Sequence, residues 1–171
     1  MRLLESIHQV DISAFEWFAR YRHRNTALKF ARLTSLSADG PLYVFAGFIV
    51  LYLQNWQVAK LMALCFLIER IAYKAFKTLF KRNRPPEAIP GFKSAVEPSD
   101  QFSFPSGHTS AAFMVACIFS FAAPWAALFL FPWAISVGIA RVALGVHFPT
   151  DTLAGAVMGS FICYLLVNTI G

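Results

Sequence analysis

Polar and apolar positions follow two regimes along this chain. Between residues 3 and 21, Leu3, Ile7, Val10, Ala14, Trp17 and Tyr21 recur at steps of four and three, with Glu5, Asp11, Glu16 and Arg20 elsewhere on the helical wheel. That spacing predicts an amphipathic helix lying in a membrane interface. A second short helix is expected over about residues 26 to 37, basic along Lys29 and Arg32 and too charged to cross a bilayer comfortably. Beyond residue 40, long apolar runs take over. Asp39-Gly40-Pro41 reads as a cap followed by proline in the first helical turn, so a first span is expected over residues 41 to 54. A second is expected over 58 to 80, with Trp56 at an interface. Pro85-Pro86 ends that helix, and residues 85 to 105 read as a polar loop, long enough to suggest function. A third span should run from Ser106 to about Ala123, with a turn at Pro124 and Trp125. A fourth follows to about Arg141 and a fifth from Pro149 to about Ile170. The expected fold is all-α, an integral-membrane bundle of about five spanning helices. It forms one domain over residues 1 to 171, with amphipathic helices in 1 to 40 and the transmembrane core in 41 to 171.

Composition agrees. Hydrophobic residues make up 57% of the chain and charged residues 14%, against about 25% charged in a soluble domain. The start, Met1-Arg2-Leu3-Leu4-Glu5, lacks the apolar core and cleavage site of a signal peptide and is expected to remain in the mature chain. The net charge of +6 is interleaved with apolar spans and forms no soluble basic domain, so no nucleic-acid partner is expected. Anionic headgroups or phosphate substrates suit it better. Cys65, Cys117 and Cys163 each lie in an apolar run without ligand spacing and read as small buried hydrophobes.

Charge inside the second span changes the picture. Arg70, Lys74, Lys77, Lys81 and Arg84 fall at steps of four, three, four and three, one face of the helix if it continues that far. Such a stripe must face the bundle interior, water or headgroups, and charge at membrane depth marks function. Lys81 and Arg82 read instead as interfacial anchors of the helix end, and Glu69 as an internal partner for Arg70.

Two polar clusters carry candidate chemistry. In the stretch from Arg141 to Asp151, Pro149 suits the first turn of a helix, which places Asp151 in that turn with His147 just outside it. The carboxylate can then fix the tautomer of the imidazole and leave the other nitrogen to act as base or nucleophile. Phe104-Pro105-Ser106-Gly107-His108-Thr109 opens a helix, where free N–H groups, a close-approach glycine and a serine hydroxyl form a phosphate cradle beside a histidine. Alternating spans put Lys77 to Pro85, Pro105 to His108 and Arg141 to Asp151 on one membrane face. Together Lys77, Arg84, Arg141, Ser106, His108, His147 and Asp151 meet the needs of phosphoryl transfer. His8 and His23 read as caps or satisfied polar groups. The loop acids Glu87, Glu97 and Asp100 lack ligand spacing, so neither a metal nor another cofactor is expected.

Over residues 40 to 170 the sequence resembles the type 2 phosphatidic acid phosphatase superfamily, which includes bacterial acid phosphatases and vanadate haloperoxidases. The resemblance rests on Lys77-x6-Arg84-Pro85, Pro105-Ser106-Gly107-His108 and Arg141-x5-His147-x3-Asp151, in the family's order. It implies a metal-independent phosphatase in which His147 becomes a phosphohistidine, Asp151 orients it and His108 is the general acid. Lys77, Arg84, Ser106, the Gly107 amide and Arg141 would hold the phosphoryl oxygens. Ala140 stands where the family usually has serine, which removes one possible hydrogen bond. Compact bacterial members act on undecaprenyl diphosphate, phosphatidylglycerol phosphate or phosphatidic acid, so an amphiphilic lipid phosphate is the expected partner. The motifs do not select among these lipids, and size alone leans toward undecaprenyl diphosphate. Nothing in the sequence sets the oligomeric state. A non-catalytic lipid-phosphate binder on the same fold is the alternative, against which the intact His108, His147 and Asp151 argue. A vanadate peroxidase is disfavoured by the spanning segments. The positive-inside rule would turn the active face to the cytoplasm; the resemblance implies the outer face of a bacterial inner membrane, and that is the expectation adopted.

Overall fold

The computed structural model describes residues 9–17 and 25–170, among which there is no β-strand. Helix α1 covers residues 9–17, and α2 covers Asn25–Leu36. They are followed by α3 (Gly40–Tyr52), α4 (Trp56–Phe80) and the single turn α5 (Pro85–Ala88). Then come α6 (Gly107–Ala122), a 3-10 turn at Pro124–Ala126, α7 (Ala127–Ala143) and α8 (Pro149–Ile170). Helix starts and stops follow the proline and asparagine signals closely. Asn55 caps α4 by accepting from the Val58 amide at 3.2 Å, and Pro41, Pro85 and Pro149 each sit in a first turn, where no amide hydrogen is missed.

α6 and α8 form the centre. A Cβ on Gly155 or Gly159 would run into the backbone of Ser106 or Ser110, so only glycine lets these two helices approach this closely. Around that seam, Leu61, Met62 and Cys65 of α4 pack with Met114 and Ile118 of α6 and Ile162 and Cys163 of α8. A second cluster joins Tyr43 of α3 to Ala112 and Ala116 of α6 and to Ala134 and Val137 of α7. The three cysteines are free; Cys65 and Cys163 are buried as expected, whereas Cys117 is half-buried. Large apolar side chains also point outward, among them Phe48, Phe129, Leu153 and Phe161, each more than half exposed. Water would not tolerate that surface over so much of a molecule; hydrocarbon does.

Membrane crossing is more unequal than five matching spans. By length and apolarity, Pro124–Ala143 and Pro149–Ile170 suffice alone, and α2 with α3 pass together as a pair bent by 44°. α4 has 25 residues but carries Lys60, Glu69, Arg70, Lys74 and Lys77. α6 is apolar but has 16 residues, about 24 Å of helix against about 30 Å of hydrocarbon.

Two amphipathic assignments need correction. In α1 it is Asp11, off the expected apolar stripe, that is buried together with Phe15, while Val10 and Trp17 of that stripe are exposed. The part of that expected helix in residues 1–8 and 18–24, with His8 and His23, lies outside the described residues. α2 does not merely lie at an interface: it packs along α7, burying Ala31 and Ser35. The cation stripe also breaks, because α4 ends at Phe80 and Lys81 adopts a left-handed conformation with φ 45°. Lys77 and Arg84 are buried, whereas Lys74 and Lys81 are exposed.

Candidate active site

The turn between α7 and α8 places the candidate nucleophile. α7 ends in a Schellman motif: the Gly145 amide donates to the Val142 carbonyl at 2.9 Å and the Val146 amide to the Arg141 carbonyl at 3.3 Å. Gly145 takes the left-handed φ of 77° that this ending requires. Six residues after Gly145, Asp151 in the first turn of α8 reaches back three residues and accepts from the Phe148 amide at 2.8 Å. His147 is trapped between the two caps. It is 2% exposed, with Nδ1 3.7 Å from Asp151 Oδ2 and Nε2 3.5 Å from Arg84 Nη1. The Nδ1 separation exceeds a hydrogen bond, and Nδ1 is buried without a partner among the described residues. The carboxylate therefore faces the correct nitrogen without yet bonding it. Burial, reinforced by Arg141 and Arg84, pushes the imidazole well below its ordinary range, with Asp151 only partly offsetting this. The ring is thus neutral and its Nε2 lone pair available.

Asp151 is itself fully buried and is held by a residue that looked like a mere anchor. Arg82 donates through Nη1 to Asp151 Oδ1 at 2.8 Å and through Nη2 to Asp11 Oδ2 at 2.5 Å, with its guanidinium 4.5 Å over the Phe148 ring. Asp11 also accepts from the Thr150 amide at 3.1 Å and from the Thr150 hydroxyl. α1 is thereby keyed to the start of α8, and Phe15 packs edge-on against Phe148. A buried carboxylate without such partners would be several kcal/mol less favourable, on the order of 3–5.

The cations converge as the topology predicted. Arg84 donates from Nε to the Asp100 carbonyl at 2.9 Å, from Nη1 to the Val146 carbonyl at 2.6 Å and from Nη2 to the Asp100 carboxylate. Lys77 Nζ lies 2.6 Å from the same Asp100 oxygen and also donates to the Phe102 carbonyl. Tyr73 donates its hydroxyl to the other Asp100 oxygen. Burial alone would raise the Asp100 carboxyl, but the hydrogen bonds from Lys77, Tyr73 and Arg84 overcome it and hold it at about 2. Asp100 thus remains an anion, seated between Lys77 and Arg84, whose Nη1 approaches His147 Nε2. Arg141 comes from the last turn of α7; its Nη1 donates to Ser35 at 2.8 Å, and its buried Nε has no partner among the described residues.

Ser106 caps α6 without a side-chain capping bond and shares a 2.9 Å hydrogen bond with Thr109, while its amide donates to the Asp151 carbonyl at 2.9 Å. That last bond ties the second motif to the third. A Cβ on Gly107 would meet the Tyr73 ring at 2.8 Å, so glycine is required there to keep the helix start open. His108 meets another carboxylate: its Nε2 is 2.8 Å from Asp39 Oδ1. Asp39, which reads as an ordinary N-cap, makes no side-chain capping bond and spends its carboxylate on His108 instead. Gly107 and His108 border a cavity of about 780 Å³ that runs between α3 and α4 along Gly47, Phe48, Ala63 and Phe66 toward Trp56.

All eight candidate residues therefore lie at one end of the bundle. Asp11, Asp39, Asp100 and Arg82 were missed as members of this region. The one available signal was their charge in a predominantly apolar chain; their partners are 16 to 139 residues away. An imidazole with one nitrogen toward a carboxylate and the other toward cations can attack a phosphorus whose oxygens those cations hold.

Comparison with known proteins agrees with this geometry. Residues 56–171 match the family model of the PAP2 superfamily. Phosphatidylglycerophosphatase B of Bacillus subtilis is 35% identical, over 78% of this chain and 70% of that protein. Undecaprenyl-diphosphatase of Sulfolobus acidocaldarius is 26% identical, over 90% of this chain and 76% of that protein. The crystal structure of a transmembrane PAP2-type phosphatidylglycerolphosphate phosphatase from Bacillus subtilis superposes with a TM-score of 0.80 at 26% identity, covering 96% of this chain and 86% of that one. The chain belongs to the PAP2 superfamily and is a membrane phosphatase.

Proposed function

We propose that this chain removes the terminal phosphate of an amphiphilic lipid phosphate or diphosphate through a phosphohistidine formed on His147. The observation that carries the reading is the seat of Asp100: one carboxylate oxygen bridges Lys77 and Arg84, and the same Arg84 guanidinium reaches to 3.5 Å from His147 Nε2. An anion bound there is beside the nucleophile, and a substrate phosphoryl group would take the place of the carboxylate. In the first step the Nε2 lone pair forms a bond to phosphorus as the P–O bond to the leaving group breaks, with Asp151 closing on Nδ1–H to stabilise the charge that appears on the ring. Lys77, Arg84, Arg141 Nε, the Ser106 hydroxyl and the Gly107 amide hold the equatorial oxygens. His108 protonates the departing oxygen. In the second step it takes a proton from water, which attacks phosphorus and frees His147 and inorganic phosphate.

The cavity between α3 and α4 suits an apolar tail, because its walls are glycine, alanine and aromatic side chains. Relatives acting on phosphatidylglycerol phosphate and on undecaprenyl diphosphate support a lipid substrate and disfavour a purely binding role. We place the protein in a bacterial cytoplasmic membrane with the active face outward, on its likeness to bacterial members. The excess of Lys and Arg on the active face argues little against this, since Lys77, Arg84 and Arg82 are engaged with carboxylates. Purified protein assayed against a panel of lipid phosphates should release phosphate and accumulate an acid-labile phosphoenzyme, both lost in His147→Ala. Equal release by that variant would refute the mechanism. A cysteine at the exposed position Gln101 should react with an impermeant reagent on intact cells; protection until lysis would reverse the orientation.

A further inference from the structure

Of the cation stripe on α4, Lys77 is absorbed by the phosphate grip, while Lys74 and Arg70 are both exposed, Arg70 where it opens onto a cavity. It sits about two turns below Lys77 on the same helical face and lines the cavity that also contains His108, Gly107, Tyr73 and Ser99. Its position is fixed. Fully buried Glu69 accepts from Arg70 Nε at 2.6 Å and Nη2 at 2.9 Å, and the guanidinium lies 4.5 Å over the Tyr73 ring. Both bonds use the Nε and Nη2 edge, so Nη1 carries no bond among the described residues. Lys77 Nζ is 4.9 Å from the centroid of the same Tyr73 ring, so less than about 10 Å separates the two charges. That distance suits a diphosphate gripped at both ends by charge-assisted bonds of about 2.8 Å.

Glu69 is fully buried while the Arg70 side chain is 54% exposed, so the pair anchors one edge of the guanidinium and leaves the other open, and an ionisable pair at membrane depth points to a role in function. The direction of the reaction supplies that role. His108 borders the cavity, so the leaving group departs on that side. The leaving group of a lipid monophosphate is an alcohol, which needs a proton and no cation. That of a lipid diphosphate is a phosphate monoester, which gains negative charge as its bridging P–O bond breaks. We propose that Arg70 holds the second phosphate of a lipid diphosphate, making diphosphates the favoured substrate class. This rests on the phosphatase reading above. The step balances as His147 Nε2 bonding to the terminal phosphorus, the bridging oxygen leaving with its electron pair on the lipid monophosphate, and water later releasing inorganic phosphate from His147.

Farnesyl diphosphate and farnesyl monophosphate share one tail, so the ratio of their kcat/KM values isolates the second phosphate and does not depend on the folded fraction of a variant. In detergent-solubilised full-length protein, Arg70→Gln should lower that ratio at least tenfold. Arg70→Lys, which keeps charge but loses the fork, should fall between. Lys60→Gln, a cation on the far part of the same cavity, should leave it unchanged. An unchanged ratio in Arg70→Gln, or an equal fall in Lys60→Gln, overturns the assignment of Arg70 while leaving the phosphatase reading intact. Failure of the wild type to hydrolyse either compound more than His147→Ala overturns both.

Discussion

The site contains two histidine–carboxylate pairs built in opposite ways. His147 and Asp151 are four residues apart, essentially excluded from solvent, and separated by 3.7 Å. His108 and Asp39 are 69 residues apart, and they meet at 2.8 Å with their side chains 24% and 39% exposed. The difference matches the tasks proposed for the two histidines. A nucleophile must be neutral and immobile, which burial and two helix caps provide. A proton donor must exchange with water between the two steps, which a half-exposed pair at the mouth of a cavity permits. The buried pair also depends on its own scaffold, Arg82 and Asp11, whereas the exposed pair depends on one loop-to-helix junction.

The sharpest break of this comparison is His147→Ala, expected to lower turnover by at least about 10⁴-fold and abolish phosphoenzyme labelling. Retention of vanadate binding would show that the cation grip survives. Arg82→Met should come next, lowering kcat on the order of 10²-fold and the unfolding temperature as well, because Asp151 and Asp11 lose a buried partner. A Tm shift without a kcat effect would reduce Arg82 to a strut. On the other pair, His108→Ala should cost about 10²-fold on alkyl phosphates and far less on p-nitrophenyl phosphate, whose leaving group needs no proton. Asp39→Asn should move activity along the same axis by about tenfold, and a loss independent of leaving group would remove both residues from acid catalysis.

Smaller effects sharpen the contrast. An ordinary imidazole near 6.5 gains a proton as pH falls and would lose about eightfold of its neutral form between pH 7 and 5.5. Because burial lowers the His147 value, the ring stays neutral there, and single-turnover phosphoenzyme formation should change by less than about threefold. A steep loss through pH 6.5 would mean that the ring is solvated. The least effect is expected from EDTA, below about twofold, since Lys77, Arg84 and Arg141 supply the positive charge that a metal would otherwise contribute. Loss of activity rescued by magnesium would contradict that.

Local patterns were legible where neighbours in sequence are neighbours in space. Pro149 and Asp151 specify the start of α8 and its internal cap, Gly145 the end of α7, and Pro105-Ser106-Gly107 the start of α6. The candidate residues were therefore readable from three short motifs. Asp39 and Arg82 were misread for one reason. Each occupies a position with an ordinary local explanation, an N-cap and an interfacial anchor, and each forgoes it for a distant partner.

The sequence by itself determined a helical membrane bundle, the ends of its helices and the polar residues gathered on one face, because capping, proline geometry and apolar spacing act within a few residues. Tertiary structure alone decided which carboxylate each cation and imidazole meets. It turned Asp11 inward against the amphipathic pattern, seated Asp100 between Lys77 and Arg84, and separated Arg70 from the rest of its stripe. The physical reason is that a buried charge is tolerable only beside a partner, and that partner comes from whichever segment the packing of α4, α6 and α8 brings within about 3 Å.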